Sequence, residues 1–206
     1  MKYFLDFEFI EGFHKPLFGK RRHFIDMISL GIVAEDGREY YALSSEYDYK
    51  DADEWVKENV IHKLYRKQVN GDMRNHMDAE TFNRRLGKPN KLIKTEILNF
   101  VNQPNIFSGT HMFNQFYGYY CDYDWVLFCS LFGRMIDLPE GFPMFCIDLK
   151  QELDNKILDS EFKSLGYDRA VERLKAKKGY PEQKYEHDCL ADERWNRDLY
   201  KFLKTF

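Results

Sequence analysis

Residues 2–9 read K-Y-F-L-D-F-E-F, and this aromatic run predicts a β-strand at the centre of a sheet. Residues 24–34, F-I-D-M-I-S-L-G-I-V-A, predict a second strand. Asp36 and Gly37 then supply the residues of a tight hairpin turn, and 38–44, R-E-Y-Y-A-L-S, predict the returning strand. Strands joined in this way indicate an antiparallel meander at the start of the fold.

Beyond the meander, helices alternate with short strands. The spacing of apolar residues predicts helices at 51–64, 91–102, 124–133, 148–154, 168–178 and 188–204, and strands at 116–120 and 143–147. Residues 65–90 are polar and weakly periodic, which indicates an insertion. This order of elements predicts a single α/β domain, residues 1–206, in which helices flank a mixed five-stranded sheet.

The composition suits a single globular domain, and its charge balance is compatible with an enzyme. The chain has 206 residues, of which 44% are hydrophobic and 17% aromatic, and its net charge is −3. A protein that binds nucleic acid by charge alone is usually basic overall, so the balance argues against a DNA-coating protein. It permits an enzyme whose acidic pocket holds cations.

The sequence indicates a soluble, cytoplasmic protein. Its four cysteines are scattered and form no C-x-x-C pair, as is usual for reduced core cysteines. A carboxylate follows the N-terminus too early for a signal peptide. No apolar run approaches the roughly 18 residues that a membrane span requires, so no membrane association is expected.

Asp6 and Glu8 lie two residues apart on the first predicted strand. Period-2 alternation places both on one face with Phe4, while Tyr3, Leu5, Phe7 and Phe9 point to the other face. Neighbouring carboxylates repel each other at neutral pH, and a divalent cation between them removes the repulsion. The alternative is a pair that faces solvent, but free acids are costly on so apolar a strand.

A second acidic cluster, Y-Y-C-D-Y-D-W at 119–125, lies between a predicted strand and the helix that follows. Functional groups gather at such strand ends in α/β folds. Asp124 is the preferred candidate because it continues directly into the helix, where capping is its alternative role. Asp122 competes with it, and spacing alone does not separate the two.

A third cluster, H-D-C-L-A-D-E at 187–193, opens the final predicted helix. Asp188 is its expected N-cap, which leaves His187 in the preceding loop and Asp192 within the first turns. A carboxylate on a packed helix points in a fixed direction, and an imidazole just outside it can accept a proton near neutral pH. An ordinary capped surface helix is the alternative.

Together these clusters resemble the DEDDh 3′-5′ exonucleases, which include the proofreading exonuclease of replicative polymerases and ribonuclease T. The matching set is Asp6-x-Glu8, Tyr123-Asp124 and His187-x4-Asp192. Three longer stretches are similar to a small stand-alone group of bacterial and phage exoribonucleases: D-F-E-F-I-E, I-S-L-G-I-V-A-E-D-G-R-E-Y-Y-A and Y-D-W-V-L-F-C-S-L-F-G. The resemblance implies a ribonuclease H-like fold.

The resemblance also implies a mechanism. Asp6, Glu8, Asp124 and Asp192 would hold two Mg²⁺ or Mn²⁺ ions, and His187 would act as the general base. The expected activity is removal of nucleoside 5′-monophosphates from the 3′ end of single-stranded RNA. A DNA or oligonucleotide exonuclease and a non-catalytic nucleic-acid-binding module are the alternatives, and a homodimer is compatible with each of them.

Several positions depart from the family pattern. Phe9 and Ile10 replace the threonine-rich continuation of proofreading domains, and by resemblance they form the floor under the terminal base. Cys189 and Glu193 stand where the family commonly has alanine, and Glu193 adds charge near the site. The position four before Asp192 is not tyrosine, which disfavours the tyrosine-type branch.

The segment between the first two predicted strands, E-G-F-H-K-P-L-F-G-K-R-R-H, starts just after Glu8 and is basic. We expect Arg21 and Arg22 to bind the phosphates of the incoming strand. A solvated hairpin tip is the alternative.

Overall fold

The computed structural model describes residues 1–14, 18–69, 78–102, 113–184 and 188–206. Within these ranges one sheet is formed by β1 (Lys2–His14), β2 (Arg22–Ala34), β3 (Glu39–Leu43), β4 (Gln115–Gly118) and β5 (Ile147–Asp148), in the order β3-β2-β1-β4-β5. β2 pairs antiparallel with β1 and β3, whereas β4 runs parallel to β1 and β5 parallel to β4. The sheet is mixed and opens with a meander, as predicted.

Helices cover both faces of the sheet. They are α1 (Glu54–Val56), α2 (His62–Val69), α3 (Ala79–Leu86), α4 (Asn90–Val101), α5 (Asp122–Phe132), α6 (Leu149–Asp159), α7 (Tyr167–Lys175) and α8 (Cys189–Thr205), with a π-helical turn, Lys57–Ile61, between α1 and α2. This ribonuclease H-like arrangement confirms the predicted fold class. None of the helices described is both long and apolar enough to cross a bilayer.

The alternation of β1 divides the core between the two faces. Tyr3 and Leu5 pack with α4 and α5 in one cluster, whereas Phe4 packs with α6, α7 and α8 in another. A third cluster joins Ile10 on the same strand to Ile61 and its helical neighbours. Asp6 and Glu8 therefore lie between two apolar clusters, on the face that α8 covers.

The strand boundaries differ most from the predicted ones in the first hairpin and at β5. β1 and β2 continue beyond the predicted ends, pairing as far as His14 with Arg22, so the described residues at both ends of the basic segment form a hairpin arm. The strand predicted at 143–147 is wrong for all but Ile147. β5 is short because it pairs only with Tyr117 and Gly118, where β4 ends.

The helix predicted at 51–64 begins later, because Asp53 caps it through a hydrogen bond from the Val56 backbone N–H at 2.8 Å. α2 continues to Val69, and α3 lies within the polar segment 65–90. That segment therefore contains helices, and its being an insertion stays a prediction.

Gly31 brings α8 against the strand that carries the acids. Gly31 pairs with Asp6 across the β1–β2 ladder. A Cβ atom built on Gly31 would lie 2.8 Å from the carbonyl carbon of Cys189 and 2.9 Å from its Cβ and oxygen. Only glycine allows this approach, so the first turn of α8 lies directly beside the acidic pair.

Candidate active site

Asp6 and Glu8 project from β1 toward α8 and are partly exposed at the floor of a cleft. The ladder with β2 shifts immediately beyond them: Glu8 pairs with Ser29 and Phe9 with Met27, so Ile28 is an extra residue on β2. Such a bulge bends and twists the strand locally and is common beside active sites.

Asp124 lies in the first turn of α5, not directly before the helix as expected, because the helix begins at Asp122. It is buried, with 6% of its surface exposed, whereas Asp122 is exposed. The carboxylate of Asp124 accepts a hydrogen bond from the backbone N–H of Phe7 on β1. This bond ties Asp124 to the strand of Asp6 and Glu8. It favours Asp124 over Asp122 as the site residue, a choice that sequence spacing alone did not decide.

Asp192 lies in the first turn of α8, whose N-cap is Asp188, as predicted. Its two carboxylate oxygens have different donors. Nε2 of Gln183 donates to Oδ1 at 3.0 Å, and the backbone N–H of Asp188 donates to Oδ2 at 3.2 Å. Asp192 is therefore held in one orientation, at the positive end of the helix dipole.

The four acids line one cleft of about 350 Å³, although they come from three separate segments of the chain. The other residues that line the cleft are Phe7, Phe9, Tyr119, Tyr120, Tyr123, Gln183, Trp195 and Asn196. The cleft therefore combines an acidic floor with aromatic walls.

The acids raise one another's pKa values. Burial raises the pKa of Asp6 well above its usual value, and the Asp124 and Glu8 carboxylates add to the effect. Burial, followed by the charges of Asp192 and Asp124, raises the pKa of Glu8 to about 8 against the opposing influence of Lys63. Burial likewise raises the pKa of Asp124 to about 8. A cation among these carboxylates would relieve the repulsion.

The donor set fits a hard divalent cation. One ligand atom each of Asp6, Glu8 and Cys189 lies within 4.8 Å of the other two. Burial raises the pKa of the Cys189 thiol well above its usual value, and its Sγ is hydrogen-bonded to Ser29 Oγ at 3.2 Å. Carboxylate oxygens are hard donors that suit Mg²⁺ or Mn²⁺, whereas these ions bind a soft cysteine sulfur poorly.

Glu193 is a fifth acid near the cleft, and it is fully buried. Its Oε1 accepts a long hydrogen bond, 3.4 Å, from Nδ2 of Asn196. Burial raises the pKa of Glu193 well above its usual value, and the charges of Asp6 and Asp124 act in the same direction. Glu193 therefore lies behind the cleft, near the acids as the sequence indicated, in surroundings that favour its neutral form.

The structure brings only some of the other predicted site residues to the cleft. Phe9 lines it, and its ring packs edge-to-face on Tyr123 with centroids 5.7 Å apart. Ile10 does not line it: the side chain is 1% exposed and lies in the core, because it follows Glu8 on the face packed against the helices near Ile61. Arg21 and Arg22 are exposed on the hairpin arm, and His187 lies outside the described residues.

The sequence pattern did not identify several polar and aromatic residues of the cleft, among them Asn196, Gln183 and Tyr120. Asn196 follows Asp192 by one helical turn, so the i, i+4 spacing would have identified it. Gln183 precedes α8 with no pattern that marks it. Tyr120 has a φ of 57°, a left-handed conformation that costs a non-glycine residue about 1–2 kcal/mol, and no sequence signal indicates it.

Two known proteins are similar to nearly the whole chain. A 3′-5′ exoribonuclease of Mycobacterium tuberculosis strain CDC 1551/Oshkosh is 31% identical over 194 residues, which is 94% of this chain and 88% of that protein. The 3′-5′ exoribonuclease of strain H37Rv matches with the same identity and coverage.

The chain belongs to this family of 3′-5′ exoribonucleases. Its enzyme class is that of a 3′-5′ exonuclease, as predicted. No model of a protein family matches the chain. Membership of the wider DEDDh superfamily therefore stays a prediction based on the acidic motifs.

Proposed function

We propose that the chain is a metal-dependent 3′-5′ exoribonuclease that hydrolyses the terminal phosphodiester of single-stranded RNA and releases nucleoside 5′-monophosphates. The observation that carries the proposal is the convergence of Asp6, Glu8, Asp124 and Asp192 in one cleft. The direction of attack and the RNA substrate are supported by the names of the two relatives.

The four carboxylates would hold two Mg²⁺ or Mn²⁺ ions. When bound, such ions acidify the attacking water and stabilise the leaving 3′ oxygen. The neighbours of the carboxylates orient them in advance: Phe7 donates its backbone N–H to Asp124, and Gln183 donates to Asp192. Partners of this kind fix ligands in a productive geometry, and their loss typically costs 10–100-fold in affinity or activity.

His187 is the proposed general base that accepts the proton of the attacking water. Its support is its place in the chain, immediately before Asp188, the N-cap of the helix that positions Asp192.

The hairpin arm is proposed to bind substrate phosphates, because its base contacts the cleft. Tyr123 Oη donates to Glu11 at 3.2 Å, and His23 Nε2 lies 2.7 Å from the same Glu11 oxygen. Further out, the Arg21 guanidinium stacks 3.9 Å from the centroid of Phe13. These contacts hold the arm on the same side of the molecule as the mouth of the cleft, with Arg21 at its cationic end.

Degradation of labelled RNA in Mg²⁺ or Mn²⁺ tests the proposal. The wild type should shorten 5′-labelled single-stranded RNA stepwise and release labelled mononucleotide from 3′-labelled RNA. Asp6→Ala, Asp124→Asn and His187→Ala should each lower kcat at least about 100-fold, as expected for groups at the reacting atoms. Asp122→Asn is the matched control, because this exposed acid lies two residues from Asp124 and should leave kcat unchanged.

The same assay separates the alternatives. Single-stranded DNA of the same sequence should be a poorer substrate. Faster cleavage of DNA than of RNA would favour the alternative of a DNA exonuclease. Binding of RNA without any cleavage would favour a non-catalytic module. Loss of label as mononucleotides from the 5′ end would contradict the proposed direction.

A further inference from the structure

Tyr120 is an exposed aromatic residue at the mouth of the acidic cleft. Its surface is 67% exposed, and it lines the cleft together with Tyr119 and Tyr123. A single exposed ring is common on protein surfaces. Its significance depends on how the backbone and the neighbouring side chains hold it.

The backbone of Tyr120 is held in an unfavourable conformation. Of the residues that the structure describes, it is the one non-glycine residue with a positive φ. The Asp148 carboxylate accepts the backbone N–H groups of Tyr120 at 3.4 Å and Cys121 at 3.3 Å, and it also caps α6. Such conformations persist where the surroundings determine them, and they cluster at binding sites.

The Tyr120 ring has two neighbours, Tyr119 and Lys150, and most of its surface remains exposed. It packs edge-to-face on Tyr119, with centroids 5.0 Å apart, and Tyr119 packs in the same way on Trp195 at 5.1 Å. Nζ of Lys150 lies 5.7 Å from the ring centroid. The ring is therefore positioned by its neighbours without being covered by them.

We infer that the Tyr120 ring stacks on a nucleobase of the substrate strand and so positions the strand in the cleft. This inference rests on the proposed exoribonuclease function and deepens it. Aromatic side chains bind single strands in this way with little sequence preference, because every base has a π face. Tyr123 is engaged differently, since its hydroxyl donates to Glu11 and its ring packs on Phe9.

Steady-state kinetics on single-stranded RNA test the stacking role. Tyr120→Asn removes the ring but tolerates the left-handed backbone, so it separates stacking from strain. It should raise KM by roughly 5- to 100-fold with a smaller change in kcat. Tyr120→Phe, which keeps the ring, should restore most of the wild-type KM. Phe145→Asn, which removes an exposed ring that is not part of the cleft lining, is the matched control and should not change KM.

Substrates that lack one base identify the stacked nucleotide. A series with an abasic nucleotide at successive positions from the 3′ end should contain one position at which the wild type and Tyr120→Asn have equal KM. An unchanged KM in Tyr120→Asn would overturn the inference, and so would a raised KM of this variant at every abasic position. In either case, wild-type activity on RNA would still support the proposed function. A wild type inactive on both RNA and DNA would overturn both.

Discussion

Replacing Gly31 with alanine should disturb the active site without touching a catalytic group. The added Cβ would lie 2.8–2.9 Å from three atoms of Cys189, two of them backbone atoms. Carbon atoms in contact are normally about 3.5–4.0 Å apart. The first turn of α8 would therefore have to move by roughly 0.5–1 Å away from β2.

The size of the effect follows from this displacement. Overpacking of a close contact costs about 1–3 kcal/mol of unfolding free energy. For a domain of this size, 1 kcal/mol corresponds to about 2–4 °C in Tm, so Gly31→Ala should lower Tm by about 2–12 °C. Asp192 moves with Cys189, and a misplacement of about 1 Å can cost on the order of 100-fold in rate.

Thermal unfolding and kcat on single-stranded RNA measure the two effects. Ile97→Val is the matched control, because Ile97 is fully buried on the opposite face and the change costs about 0.5–1.5 kcal/mol without displacing α8. It should lower Tm and leave kcat unchanged. If Gly31→Ala kept both wild-type values, the close approach of α8 would not be what positions Asp192.

Three further outcomes are expected. Because the pKa values of Glu8 and Asp124 are raised to about 8, their contribution to stability is present below about pH 4 and lost as the pH rises toward 8. The Tm of the metal-free protein should therefore fall between these pH values and recover when Mg²⁺ or Mn²⁺ is added. A Tm that does not change with pH would count against the buried acidic cluster. Asp148→Ala should lower the unfolding free energy by about 1–2 kcal/mol and raise KM for RNA by releasing Tyr120. Asp53→Ala removes the cap of a helix that does not line the cleft, so it should lower stability and leave KM unchanged. Equal KM values in the two variants would refute the role of Asp148 in holding Tyr120. Replacing Arg21 and Arg22 with alanine should weaken RNA binding and reduce the slope of log K against log salt by up to about 1.4, and an unchanged slope would exclude phosphate contacts from the arm.

Much of the site could be predicted from local patterns. Alternation along the first strand placed Asp6 and Glu8 on one face, and the capping residue Asp188 placed Asp192 in the first turn of the last helix. These features depend on the residues that are adjacent in sequence. The structure bears out each of these placements.

The remaining features depend on contacts between distant segments. The choice between Asp122 and Asp124 is decided by a backbone N–H of β1, and the approach of α8 depends on the missing side chain at Gly31. The placement of Ile10 in the core follows from the helices packed on that end of the hairpin. Periodicity assigns a face to a residue, but it does not say which part of that face another element covers.

Anomalous diffraction from Mn²⁺-soaked crystals tests the proposed metal site most directly. Two peaks should lie in the cleft, bound by oxygen atoms of Asp6, Glu8, Asp124 and Asp192, and Asp124→Asn should lose at least one of them. A cleft without anomalous density at millimolar Mn²⁺, in a protein that still degrades RNA from the 3′ end, would show that these four carboxylates are not the metal site.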